Sequence, residues 1–340
     1  MTAAVLQNLH KPRMGEDSIM LDLVTQTPLY TGGIGQWGDQ IHPSGLLGSI
    51  RFFSCLVART LGDTGFEDAV WGNAGGDNHH ARGVALRWDV SGLKSMDMEK
   101  NIKLESPSET HRGWFFNCAW TGSLHLQITK RKITEIHWQI LLLALRIQVK
   151  QAMFGAKDQF GFGVLFCRNI SDIKIEGEDF FEKIVDLNAN CNDKNPTLKD
   201  AFFVRFRVDD TQNTKQKSAL ELRREFRNRF RKDIEDPRHD IYNRIRHYIC
   251  GHLGGRNHTF GSGFNISGYY PIKDNRNNQF LRTRAFLLMP HTSEPPWYIL
   301  DNREEIIRII EEWMQSKPDA IFQKHNPNQS ISKWLLGLAK

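Results

Sequence analysis

Residues 27–53 hold the densest set of groups suited to an anion. Thr27-Pro28-Leu29-Tyr30-Thr31-Gly32-Gly33 is an apolar run entering a glycine-rich loop, and Ile41-His42-Pro43-Ser44-Gly45-Leu46-Leu47-Gly48-Ser49-Ile50-Arg51-Phe52-Phe53 leaves it. Glycines let backbone N–H groups come close to a ligand, and a helix start adds donors with no partner inside the helix. Arg51 adds a cation beside the buried stripe, on the flank of Ser44, with a salt bridge as its other use. His42 and Ser44 flank the proline that starts the helix. Trp37, inside the loop, offers a ring on which a base could stack, worth roughly 1–3 kcal/mol, or it is a buried turn residue. Gly33-Ile34-Gly35-Gln36-Trp37-Gly38 also fits G-x-G-x-x-G. A dinucleotide fingerprint needs the helix to start inside the motif and an acid ending a strand about twenty residues on. Here the helix waits for Pro43, and Gly62-Asp63-Thr64-Gly65 supplies no strand.

A second loop, Gly155-Ala156-Lys157-Asp158-Gln159-Phe160-Gly161-Phe162-Gly163, places Lys157 and Gln159 between glycines, as RNA contacts or as a plain turn. Between 215 and 232 stand eight basic residues against two acidic, an excess equal to the net +6 of the whole chain. Leu222, Phe226 and Phe230 make the buried stripe of that helix, and Arg223, Arg227 and Arg231 make a charged row beside it. Such a row is either a solvated face, a docking face for an acidic neighbour, or a phosphate track. Arg244, Arg246 and His247, then Arg256-Asn257-His258, precede Phe260-Gly261-Ser262-Gly263-Phe264. Basic groups interleaved with aromatics suit single-stranded RNA. His79-His80 after Asp77 lack a third ligand at metal-like spacing, so no metal or other cofactor is expected. No histidine stands in a catalytic pattern, so no catalytic residue is assigned.

Elements must position these groups. Strand 19–24 leads to the first loop. Leu46, Ile50, Phe53, Val57 and Leu61 keep helical spacing after Pro43, and Gly62 and Gly65 stop that helix. Strands follow at 83–90 and 114–128, with a polar loop at 91–112 between them. A helix over 134–151 presents Ile136, Ile140, Leu143 and Ile147, and 164–166 resumes a strand. Strand, helix, two strands, helix and strand is the ferredoxin-like order. The second half repeats the layout: a strand at 201–208, a helix at 218–232, a glycine-rich stretch, a strand at 280–289 and a helix at 303–315 capped by Asn302 with Glu304 and Glu305 in its first turn. No closing strand stands out, and 331–340 looks helical. The division expected is a flexible leader at 1–18, a first domain at 19–175, a linker at 176–199 and a second domain with helical insertions at 200–340.

Composition constrains the class. At 340 residues two domains are the natural division, and the pI near 9.0 permits nucleic acid without requiring it. Five dispersed cysteines without Cys-x-x-Cys point to reduced thiols in a cytoplasm rather than a disulfide framework. The longest apolar run, Ile140–Leu145, is far short of a membrane span.

Four patches, in order, carry a resemblance. Thr27–Gly33, Ile41–Arg51, the phrase Phe66-Glu67-Asp68-Ala69-Val70-Trp71-Gly72 and the loop Gly155–Gly163 resemble the RAMP superfamily of CRISPR effector subunits. They are most like the first-subunit family of the Cmr (type III-B) complexes. The resemblance implies an α+β fold of two tandem ferredoxin-like (RRM-like, βαββαβ) domains. It implies binding of crRNA and target RNA in an antiviral ribonucleoprotein, at the 3′ side of the guide–target region. The partners it implies are other RAMP subunits and a polymerase-like large subunit. It implies a subunit other than the one that supplies the cleaving aspartate, so not an enzyme. The alternative within the same fold is an endoribonuclease that processes guide precursor RNA with a histidine base.

Overall fold

The computed structural model describes residues 17–32, 40–73, 81–97, 118–156, 161–189, 195–208, 219–253, 259–260, 263–273, 279–289 and 296–340. Its first half runs β1 (Ser18–Thr25), α1 (Pro43–Thr60), α2 (Phe66–Trp71), β2 (Val84–Asp89), β3 (Leu93–Asp97), β4 (Cys118–Lys130), α3 (Glu135–Gln151), β5 (Leu165–Cys167) and α4 (Glu178–Leu187). Its second half runs β6 (Ala201–Val208), α5 (Ala219–Asn228), α6 (His239–Cys250), β7 (His252–Leu253), β8 (Thr259–Phe260), β9 (Phe264–Ile266), β10 (Tyr270–Lys273), β11 (Gln279–Leu288), α7 (Trp297–Leu300), α8 (Arg303–Gln315), β12 (Ile321–Lys324) and α9 (Ile331–Ala339).

The first sheet has the order β2-β4-β1-β5 with antiparallel neighbours. This is the ferredoxin-like order, produced by two split β-α-β units. Leu21 and Leu23 oppose Leu126 and Leu124 on the face under the helices, while Met20 and Asp22 oppose Gln127 and His125 on the other. The stretch 91–112, expected to be a loop, holds β3, which pairs with the first third of β4. Gly122, at φ 132°, separates the two pairings, and its missing Cβ would lie 2.3 Å from the Gly92 carbonyl oxygen. The patch Phe66–Trp71 is a short helix with Phe66, Val70 and Trp71 buried.

The second sheet repeats the plan as β10-β11-β6-β12, with β9 also on β11. The chain is therefore two tandem ferredoxin-like domains. β12 is the closing strand that was not evident in the sequence, and it pairs with β6 over Ile321–Lys324. Its residues are half-buried or exposed, so it carries no apolar alternation. Asn302 sits at the start of α8, but its side chain makes no cap; its amide donates instead to the Tyr298 carbonyl at 2.8 Å.

Both faces of the second sheet are covered. Phe202, Val204 and Phe206 pack with Ala285 and Leu287 under α5, α6 and α8. Ala201, Phe203, Phe286 and Leu288 belong instead to the first domain's core with α1 and α3. Phe286 stacks on Phe203 at 4.9 Å and meets Phe53 of α1 edge-on at 6.0 Å. This explains why α3 is buried nearly all round, with Leu141, Leu142 and Leu145 added to the expected stripe. α4 lies within the stretch expected to be a linker; it is a helix whose Phe181 and Ile184 enter the first core. α9, at the far end of the second half, returns to that core through Trp334, Leu335 and Leu338. Gln151 donates to the Leu338 carbonyl at 2.8 Å, tying α9 to the end of α3.

Candidate nucleic-acid interface

The two glycine-rich loops grow from one root at the end of β1. Thr31 is buried, and its hydroxyl accepts from the His42 N–H at 2.8 Å, closing the base of the first loop. Gly45, in the first turn of α1, lies against the Thr31 carbonyl so closely that a Cβ would sit 2.1 Å from its oxygen. The second loop adds three backbone bonds: Ala156 N–H to the Tyr30 carbonyl at 2.7 Å, Gly163 N–H to that of Pro28 at 2.9 Å, and Phe154 N–H to that of Gly163 at 2.8 Å. The root then reaches the second domain. Gly161, at φ 101°, accepts from the Gly268 N–H at 2.9 Å, and its missing Cβ would meet Ala219, the first residue of α5, at 3.1 Å. Only glycine allows that conformation and that approach together.

Each sequence-predicted residue has a definite status. Ser44 is exposed in the first turn of α1, and His42 is half-buried at its N-cap position without a capping side chain. Trp37, Lys157, Gln159, Arg256 and His258 lie outside the described residues, as do His79 and His80. Arg51 is engaged: its Nε and Nη2 donate to Glu67 Oε1 at 3.1 and 2.8 Å. Arg59 donates to the other oxygen of Glu67 at 3.0 Å. Burial raises the Glu67 pKa, but the hydrogen bond and charge of Arg51 and the charge of Arg59 outweigh it and hold the carboxyl below its ordinary value.

The basic row of α5 starts at the loop root and runs away from it. At 1.5 Å per residue, Arg223 and Arg227 lie roughly 6 and 12 Å along the helix from Ala219. Leu222, Phe226 and Phe230 are buried beside them. Arg223 donates to the Cys250 carbonyl at 2.7 Å and so caps α6. Arg227 is half-buried; α5 ends at Asn228, short of the helix expected to 232, because a turn closes there, and Arg231 lies exposed just beyond its end. Burial, then the charges of Arg227 and Arg231, lower the pKa of Arg246 on α6. The arginines of α5 and α6 therefore share one surface.

A further basic group was not singled out in the sequence. Arg205 and Arg207 of β6 lie directly opposite Arg284 and Arg282 of β11, on the face that also carries Phe203 and Phe286. Lys150, in the last turn of α3, meets them across the domain seam. The available signal was an Arg-x-Arg in each of two apolar strands.

Among the described residues no group of three or more histidine, cysteine or carboxylate side chains could hold a metal. Nor, among them, is any helix long and apolar enough to cross a membrane. Cys55, Cys118, Cys167 and Cys250 are free thiols.

No family model matches the chain, and no curated protein does. Among solved structures, the chain is similar to Cmr1 from Pyrococcus furiosus in its apo form, with 14% identity, 90% of this chain and 98% of that chain covered, and a TM-score of 0.48. It is also similar to a chain of the type III-B Cmr-beta complex bound to cognate target RNA and AMPPnP in the presence of ssDNA. There the identity is 13%, the coverage 87% and 100%, and the TM-score 0.45. A Cmr-beta structure bound to cognate target RNA gives 13%, 87% and 100%, and 0.41.

Proposed function

We propose that this chain is a non-catalytic, RNA-binding subunit of a type III CRISPR ribonucleoprotein, contacting crRNA and target RNA in antiviral defence. One observation carries the reading. The two glycine-rich loops that resemble the RAMP patches share a root at the end of β1, and the arginine row of α5 begins at that root. The start of α1 and the cations that follow α5 thus lie along a path suited to a strand of phosphates. Arg227, Arg231 and Arg246 supply charge along it, and Ser44 lies at its loop end. The partners are the two RNAs, other RAMP subunits and a polymerase-like large subunit, assembled in the cytoplasm.

Copurification from the native operon tests the assignment: RNA and other RAMP subunits should accompany the chain, and their absence would sink it. Fluorescence anisotropy with a single-stranded RNA tests the path. Arg227→Glu with Arg231→Glu should weaken binding and lower the salt slope by roughly 0.7 per lost phosphate contact. An unchanged slope removes α5 from the interface. Incubating the pure chain with repeat RNA without metal should leave the RNA intact; specific cutting lost on His→Ala changes would favour an endoribonuclease instead.

A further inference from the structure

Where the seam between the domains opens, four cations converge on a cleft of about 120 Å³ lined by Lys150, Arg205, Arg282 and Arg284 together with Tyr270 and Phe166. No aspartate or glutamate is among the described residues that line it. Arg284 stands directly opposite Arg205, and Arg282 directly opposite Arg207. Like charges paired across antiparallel strands destabilise a sheet. Arg207, one step further out, is offset by Asp319 at 3.8 Å. Arg284 spends one nitrogen on the carbonyls of Val149 and Ala152, at 2.8 and 3.0 Å, at the end of α3. The Nε atoms of Arg205, Arg282 and Arg284 are buried and have no hydrogen-bond partner. Burial and then the neighbouring arginines, Arg205 first, lower the Lys150 pKa; burial and then Arg282 do the same to Arg205. Buried charges in proteins are paired; here Arg284 is buried and Lys150, Arg205 and Arg282 are half-buried, and the described lining residues supply no carboxylate to answer them.

We propose that this cleft is a site for a phosphate monoester, the terminal phosphate of a nucleic-acid strand or of a free mononucleotide. Guanidinium forks match phosphate oxygens bidentately, and Arg205 and Arg282 bring such forks from adjacent strands. A monoester is close to a dianion above its second pKa of about 6, which answers this charge better than the single charge of an internal diester. The cleft has room for a phosphate group and not for a whole nucleotide, so the remainder of the ligand leaves by the open side. There the Phe166 ring is 53% exposed and offers a face for a base. The cleft adjoins the glycine-loop root through Gln26 and Leu165, but its cations come from α3, β6 and β11 and not from the loops.

The full chain in phosphate-free and sulfate-free buffer at pH 7.5 provides the test, by calorimetric titration and thermal shift. Inorganic phosphate and AMP should bind saturably and raise Tm, while adenosine should not. An eight-nucleotide RNA bearing a 5′- or 3′-phosphate should bind about tenfold tighter than the same RNA with hydroxyl ends. Arg205→Met and Arg282→Met should each erase the AMP effect and the terminal-phosphate preference, whereas Arg207→Met should retain both. Preference for a phosphorylated RNA end assigns the strand terminus; an AMP response without that preference assigns the free nucleotide. The melting profile of each variant without ligand shows that it is folded. Equal behaviour of AMP and adenosine, or an unchanged AMP response in folded Arg205→Met, overturns the proposal.

Discussion

Arg284 and Arg205 face each other across β11 and β6, yet replacing each by methionine should move stability in opposite directions. Methionine keeps much of the apolar stem of arginine and removes the charge. Arg284 is buried and holds two carbonyls at the end of α3 across the domain seam. Hydrogen bonds from a charged donor contribute about 1.5–3 kcal/mol each when their loss leaves buried groups unpaired. Against that stand the desolvation of a buried guanidinium, its repulsion by Arg205 across the strands, roughly 0.2–1 kcal/mol, and the charge of Arg282 two residues before it on β11. The net expectation for Arg284→Met is a loss of about 2–3 kcal/mol. With about 2.1 cal/mol/K of unfolding entropy per residue over 340 residues, that is a Tm lowered by roughly 3–4 °C. Arg205 holds no carbonyl that would be orphaned, and its Nε is buried without a partner. Arg205→Met should therefore gain about 0.5–1 kcal/mol, or roughly 1 °C. Scanning calorimetry in phosphate-free buffer, with the double variant, separates the terms. The Arg205→Met gain should shrink in part once Arg284 is gone, because one of its two repulsive neighbours has gone while Arg282, the stronger of them, remains. An Arg205→Met loss as large as that of Arg284→Met would refute this account of the seam.

Three further outcomes follow from the packing. Gly45→Ala would drive a Cβ to 2.1 Å from the Thr31 carbonyl oxygen, whereas at Gly48 nothing lies within 4 Å; thermal melts should show a large loss for the first and a gain of about 0.5–1 kcal/mol for the second. Leu335→Ala, in the last helix of the chain, should cost about 2–5 kcal/mol, and hydrogen exchange should show the opening in α3 and α4 of the first domain rather than in α8. The Glu67 carboxyl has its folded pKa depressed below 4.5, so its contribution is present above 4.5 and is lost as pH falls through the depressed value. The stability difference between wild type and Glu67→Gln should thus shrink below about pH 4.5 and be smaller at high salt.

Period and punctuation made most of the fold readable. Pro43 and the Leu46–Leu61 spacing marked α1, and the run 201–208 marked β6, because each is a local pattern with a local cause. What escaped depends on partners distant in sequence. α4 shows only two buried apolar residues of its own, and the helix that covers it, α9, begins at Ile331. β12 is short and exposed, and becomes a strand because the edge of β6 is open to it. The candidate site divides in the same way. The glycine patches were visible as loops, and their common root follows from the ferredoxin-like order. The row Arg223, Arg227, Arg231 was visible as one charged flank, but nothing local says that Arg223 meets the Cys250 carbonyl, 27 residues on.

The arginines of the seam were legible in principle, through an argument about faces. Ala201-Phe202-Phe203-Val204-Arg205-Phe206-Arg207-Val208 is apolar at consecutive positions, so both faces of the strand must be covered. A strand with one wet face would have placed Arg205 in open water beside polar neighbours. In a strand whose two faces are both dry, Phe203 and Arg205 share a face, and the arginine must lie where the cover ends. β11 repeats the pattern with Arg282 and Arg284 four and two residues before Phe286. Two such strands paired in register align their arginines, so the charges stand opposite one another at the rim of the seam. Apolar packing of Phe203 against Phe286 fixes that register, and a one-residue slip would turn both phenylalanines out of the core. The repulsion is therefore sustained by the burial of the aromatic pair, and an anion bound at the rim would relieve it without altering the register.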